Sequence, residues 1–100
     1  MRFLVLSDPG SGPIVPEQLP SLFAAEAAWR ERYSDQLEVY GWFVAGGGFG
    51  IAGVDDDAML CRMVAEHPFT PFSKLDVRPI VDADVGAAQW RETFAAGAAV

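Results

Sequence analysis

Val39-Tyr40-Gly41-Trp42-Phe43-Val44-Ala45-Gly46-Gly47-Gly48-Phe49-Gly50-Ile51-Ala52-Gly53-Val54 decides the fold. Val39 to Ala45 is apolar and aromatic apart from Gly41, and Phe49 to Val54 is apolar again. Two such runs around a triple-glycine turn predict a β-hairpin. Upstream, Leu19, Leu22, Phe23, Trp29, Tyr33 and Leu37 recur at spacings of three and four, the period of one helix face. This predicts a helix from Glu17 to about Glu38, with Pro20 tolerated in its first turn. Before it, Phe3 to Leu6 is a short apolar run that stops at Ser7-Asp8-Pro9-Gly10 and reads as a buried strand. The loop from Asp8 to Pro16 is long for so small a domain, as binding loops often are.

Downstream, Asp55-Asp56-Asp57 offers side-chain oxygens to the free N–H groups of a second helix. Met59, Leu60, Met63 and Val64 form its apolar side, and Pro68 marks its end. Lys74 to Val81 reads as the last strand, with Leu75 and Val77 alternating against Lys74, Asp76 and Arg78. Asp82 or Asp84 can cap a short third helix whose apolar side is Ala87, Trp90 and Phe94. The order is β-α-β-β-α-β plus a terminal helix. That is the split βαβ, ferredoxin-like α+β arrangement, an antiparallel sheet with both main helices on one face. The whole chain, 1–100, reads as one domain. The second sheet face stays an exposed apolar patch unless covered. A second copy is the simplest cover, so a homodimer or larger homo-oligomer is expected.

Composition narrows the function classes. Hydrophobic residues make up 51% and aromatics 12% of the 100 residues, too many for a disordered chain. Seven basic against 14 acidic residues give a net charge of −7, which repels phosphate backbones and anionic membrane surfaces. Neither nucleic acid nor membrane is therefore an expected partner. No hydrophobic run reaches the roughly 18–20 residues of a membrane span, and the apolar start is too short for a signal peptide. The single cysteine, Cys61, permits no intrachain disulfide, so a cytoplasmic setting is the default expectation. With one histidine and one cysteine, a closed zinc site is not expected.

Several motifs read as structural. Gly48-Phe49-Gly50-Ile51-Ala52-Gly53 matches G-x-G-x-x-G, but it falls within a strand rather than opening a helix. Its glycines serve a turn and close approach of backbone or ligand. The Asp triplet lacks the spaced ligands of a calcium loop and reads as a helix cap. Cys61 reads as a small buried hydrophobe.

Glu26 stands apart. Its spacing from Leu22, Trp29 and Tyr33 places a carboxylate on the stripe that faces the sheet. Carboxylates in apolar settings are expensive to ionise and suit acid–base work near neutral pH. The alternative is a structural pair with Arg30. His67, the only histidine, can move protons near neutral pH, or act as a cation at a helix C-terminus. Trp29, Tyr33, Tyr40 and Trp42 carry polar handles around one cleft, which suits a flat, ring-containing ligand as well as core packing. Lys74, Asp76 and Arg78 share a strand face that reads as a charge ladder, with Arg78 best suited to hold a ligand carboxylate.

Pro68-Phe69-Thr70-Pro71-Phe72-Ser73-Lys74-Leu75-Asp76-Val77-Arg78-Pro79-Ile80 resembles a segment of the muconolactone isomerase family, which typically reads P-L-F-P-Y-M-D-I-E-V-T-P-L. Leu22-Phe23-Ala24-Ala25-Glu26 looks like the family's L-L-A-R-E, and Val39 to Val44 takes the place of its L-W-R-V-V. The resemblance spans about residues 17 to 81. It implies a dimeric α/β barrel and cofactor-free isomerisation of a lactone, with Glu26 as the proton-shuttling carboxylate. In the leading reading of the residues, His67 or Tyr40 is the acid or hydrogen-bond donor, and Phe72 is among the substrate-binding aromatics. The chain departs from the family at Phe43, where a basic residue is usual, and at Gly46-Gly47-Gly48, which replaces a polar turn. These departures imply an altered substrate. Cofactor-free oxygenation or cyclisation of aromatic polyketide-type intermediates, and plain ligand binding, are the alternatives.

Overall fold

The computed structural model describes residues 1–10 and 12–98, so Ser11 of the first loop and the last two residues of the Ala/Gly-rich end lie outside the described residues. Strand β1 (Arg2–Pro9) is followed by a short 3-10 turn (Pro16–Gln18) and helix α1 (Leu19–Arg32). The hairpin is β2 (Leu37–Trp42) and β3 (Gly48–Gly53), then come α2 (Asp57–Glu66), a 3-10 turn (Thr70–Phe72), β4 (Ser73–Ile80) and α3 (Ala83–Ala98). The sheet order is β2-β3-β1-β4, and every neighbouring pair is antiparallel. This is the expected ferredoxin-like α+β topology.

The first helix ends earlier than its apolar spacing predicts. Tyr33 takes a non-helical conformation, and Leu37 opens β2. Leu37 satisfies both periods, because it lies four residues after Tyr33 and also faces the helices from the sheet, opposite Ala52. The hairpin closes through Phe43 N–H donating to Gly47 O at 2.9 Å. Gly46 and Gly47 have φ of 106° and 87°, the region glycine tolerates. A Cβ on Gly47 would also run into the Ser7 carbonyl oxygen. Asp56 caps α2 as predicted, its side chain accepting from Met59 N–H at 2.8 Å.

The core is small: Trp29, Tyr33, Ala52, Val54 and Met63, with Phe3, Leu37, Tyr40, Met59 and Leu60 packed around it. Cys61 is exposed, contrary to the expected buried position. Met63 points at the sheet, and two residues along a helix is a rotation of about 200°, so Cys61 faces the other way.

Along each strand alternate side chains face the helices. The opposite sheet face carries Leu4, Leu6, Phe49, Ile51 and Val39 as neighbours across β1, β3 and β2. Gly41 lacks a side chain where the Phe49 ring lies across it. Helix α3 leaves the body: the molecule is 62 Å along its long axis against 28 and 23 Å along the others, an excess larger than the ~24 Å rise of a 16-residue helix. Trp90 and Phe94 are exposed on α3 and stack on each other, with ring centres 5.4 Å apart. No described helix is long and apolar enough to cross a membrane.

Candidate functional site

A cavity of about 420 Å³ lies between the sheet and the two main helices. Its origin is legible in the strand register. On β3 the helix-facing positions are 48, 50 and 52, and the first two are glycines that leave space above the sheet. Ser7 and Val5 of β1 continue this floor. Tyr40 and Trp42 rise from β2 beside the glycines, opposite Gly50 and Gly48. Phe23 and Trp29 come from α1, and Met63 and His67 from α2 and its end. Phe23, Trp42 and Phe69 form an aromatic triangle at one wall, with ring centres 5.6 to 5.8 Å apart.

Polar groups are few and ordered. The backbone N–H of Phe69 donates to His67 Nδ1 at 3.1 Å. A nitrogen that accepts carries no proton, so the neutral ring holds its proton on Nε2. Nε2 lies 3.1 Å from Tyr40 Oη, and His67 is therefore the donor in that bond. Burial lowers the His67 pKa below its ordinary 6.5, which keeps the ring neutral at pH 7. The Tyr40 hydroxyl keeps its own proton to donate elsewhere. Burial first, then the charge and polar contact of Glu26, hold the Tyr40 phenol far above its ordinary value.

Glu26 lies one side-chain layer behind Tyr40 and is 3% exposed. Arg30 Nε is 2.8 Å from its Oε1. The pair is close by distance but poor by direction, because Oε1 accepts no hydrogen bond from the protein. Hydrogen-bond strength falls steeply with misalignment, so Arg30 holds this oxygen only weakly. The Arg30 guanidinium also sits 5.6 Å from the centre of the Tyr40 ring, so Arg30, Glu26 and Tyr40 form one cluster.

Among the residues singled out from sequence, Trp29, Tyr40, Trp42, His67 and Phe72 line the cavity. Glu26 does not line the cavity but lies beside Tyr40, which does. Tyr33 and Arg78, expected in binding, do not line it. The Tyr33 hydroxyl donates to Glu66, which raises the phenol pKa and lowers that of the carboxyl. Arg78 is exposed on the opposite sheet face, bonded to Asp76 at 2.7 and 3.0 Å. Strand alternation dictates this, since Ser73, Leu75 and Val77 take the helix side of β4.

The sequence reading missed Thr70 and Ser73 as cavity residues. Their position just after α2 and at the start of β4 was the available signal. Among the described residues no group of three His, Cys, Asp or Glu side chains could hold a metal ion.

Fold and site together define an α+β protein of the muconolactone isomerase-like, ferredoxin-like fold with an apolar cavity between helices and sheet. One structure similar to this chain is 5-chloro-2-hydroxyhydroquinone dehydrochlorinase (TftG) from Burkholderia phenoliruptrix AC1100, in complex with 2,5-dihydroxybenzoquinone. The TM-score is 0.67 and the identity 20%, over 84% of this chain and 97% of that one. Another is muconolactone isomerase, with a TM-score of 0.68 and 18% identity over 82% of this chain and 90% of that one. At such identity the likeness shows the fold, and by name both of these proteins are enzymes. No family model and no curated protein sequence matches the chain.

Proposed function

We propose that this chain is a cofactor-independent isomerase that moves a proton next to the carbonyl of a lactone or other ring-containing metabolite. The observation that carries the reading is a buried carboxylate with an unbonded oxygen, held against a Tyr40–His67 pair in the wall of an apolar cavity. The substrate's acidic C–H would face Tyr40 Oη. As that C–H bond breaks, Oη takes the proton and passes its own proton to Glu26. His67 Nε2–H donates to Oη throughout and steadies the charge that develops there. The protonated Glu26 then returns a proton along the same path to another carbon of the enolate, completing an isomerisation with no net loss of protons. The apolar walls keep water from the enolate. The fold neighbours, an isomerase and a dehydrochlorinase by name, support chemistry of this kind on small ring molecules.

The test is exchange of the substrate's α-hydrogen with solvent. A small unsaturated lactone incubated with the protein in deuterated water is expected to incorporate deuterium at rates proportional to protein concentration. Exchange no faster than in buffer would remove the reading.

We further propose that a second copy covers the open sheet face. Leu4, Leu6, Val39, Phe49 and Ile51 make one contiguous apolar surface there, with Val39 44% exposed. Sedimentation is expected to give at least twice the 10.8 kDa chain mass. Leu6→Glu, which puts a charge in that face, is expected to return the monomer. A monomeric wild-type protein would rule out this cover.

A further inference from the structure

The cavity's polar groups define what it accepts, and we infer that it takes a neutral, ring-fused, hydroxylated aromatic molecule and discriminates against carboxylates. This rests on the proposed reading of the same site and goes beyond it by naming the substrate class, whose keto tautomer supplies the carbonyl and the acidic C–H beside it.

Charge gives the first argument. Among the described residues no lysine or arginine lines the cavity. Arg30, the cation closest to its chemistry, is already engaged with Glu26 and sits over the Tyr40 ring, 5.6 Å from its centre. His67 is neutral by burial and by its fixed tautomer. The nearby buried charge is the carboxylate of Glu26, on a chain of net charge −7. A carboxylate ligand would lose its hydration and find no ion-pair partner, the costly case for a buried charge.

Hydrogen-bond direction gives the second. Thr70 Oγ1 lies 2.6 Å from Val64 O, and Ser73 Oγ lies 2.8 Å from Phe69 O. A carbonyl oxygen only accepts, so both hydroxyls donate to the backbone. Each is left with lone pairs and no proton to offer. A ligand O–H meets acceptors there, whereas an acceptor-only carboxylate meets lone pairs. The Tyr40 proton is directed to Glu26, so the Ser7 hydroxyl on the cavity floor is the donor for a ligand carbonyl.

Size gives the third. An apolar cavity of ~150 Å³ holds one benzene ring. This cavity, at about 420 Å³, has room for two or three fused rings. Trp29, Trp42, Phe69 and Phe23 supply flat faces and edges against which such rings stack.

Ligand titration of the wild-type chain, read by quenching of tryptophan fluorescence, tests this. A naphthalenediol, its dimethyl ether, and the corresponding hydroxynaphthoic acid at pH 7 are matched in ring and differ in donor and charge. The diol is expected to bind at least ten-fold tighter than either. Equal affinity of diol and acid, or tighter binding of the acid, overturns the inference, and so does absence of diol binding. Leu75→Arg, which places a cation on the cavity wall, is expected to raise affinity for the acid at least ten-fold over wild type. Failure to raise it, with the variant's fold intact by circular dichroism, counts against a ligand seated in this cavity. The two readings fail separately. Lactone exchange without diol selectivity leaves the isomerase and removes the substrate class. Diol selectivity without any exchange leaves the binding class and removes the isomerase.

Discussion

Glu26→Gln is expected to lower the rate of proton exchange by about 10²–10⁴-fold, the range that a positioned acid–base group contributes. The substitution keeps the shape and replaces the proton-accepting oxygen with an amide that cannot take a proton at neutral pH. The Tyr40 proton then has no destination, so Oη cannot accept one from substrate. Stability should move little, and this is what separates a chemical role from a structural one. Arg30 is half exposed and can turn to water when its partner loses charge. The misdirected Arg30 N–H already leaves Oε1 without a hydrogen bond, so little is lost there. If Glu26 only paired with Arg30, Glu26→Gln would leave exchange unchanged and any effect would be on the melting temperature. Full exchange activity in a folded Glu26→Gln protein would end the proposed mechanism. Tyr40→Phe is the companion variant. It removes the link between cavity and carboxylate and is expected to match the Glu26→Gln loss, with the double variant no worse than either alone, as for residues that act as a unit.

The parts of this site that follow from periodicity were legible in the sequence. Glu26 falls on the helix stripe with Trp29, and that stripe faces the sheet, so its burial follows from spacing. The glycines of the 48–53 segment read as places of close approach, and two of them form the cavity floor. Strand alternation puts Arg78 on the face opposite Leu75 and Val77, a consequence the reading of Arg78 as a ligand-carboxylate partner did not draw. What spacing could not give is the direction of a polar bond. The tautomer of His67 depends on a backbone N–H two residues later in a turn, and the donor roles of Thr70 and Ser73 depend on which carbonyl each reaches. Tyr33 does not line the cavity, for the same reason. Its ring sits on the predicted stripe, 5.7 Å from Trp29, but its hydroxyl finds Glu66 at the end of α2. The early end of α1 has a similar cause, because Leu37 fits both a helix face and the first position of a strand, and only pairing with Ala52 decides between them.

Trp29→Ala is expected to cost about 3–5 kcal/mol, the usual loss for a large buried aromatic. For a domain of this size each kcal/mol lowers the melting temperature by ~4–8 °C, so the fall should be well above 10 °C. Trp29 is 6% exposed and packs on Tyr33, Tyr40 and His67, with ring centres 4.5 to 5.7 Å away. It also has a polar task. The last carbonyls of a helix lack partners within it. At the end of α2 the His67 N–H turns back to Val64 O, and Trp29 Nε1 donates to Met63 O at 2.9 Å. Trp29→Phe keeps most of the ring contact and strands that buried carbonyl, a cost of ~1–3 kcal/mol. The two variants therefore divide packing from capping. The residue just after this capped turn is His67, whose ring rests edge-on against Trp29 at 4.5 Å. Trp29→Phe should accordingly slow proton exchange as well as lower the melting temperature, because a frayed end of α2 lets the imidazole drift from Tyr40. A Trp29→Phe protein with wild-type stability would show that the indole bond to α2 contributes nothing. One with wild-type exchange but reduced stability would show that the histidine is held by the turn at Phe69 alone.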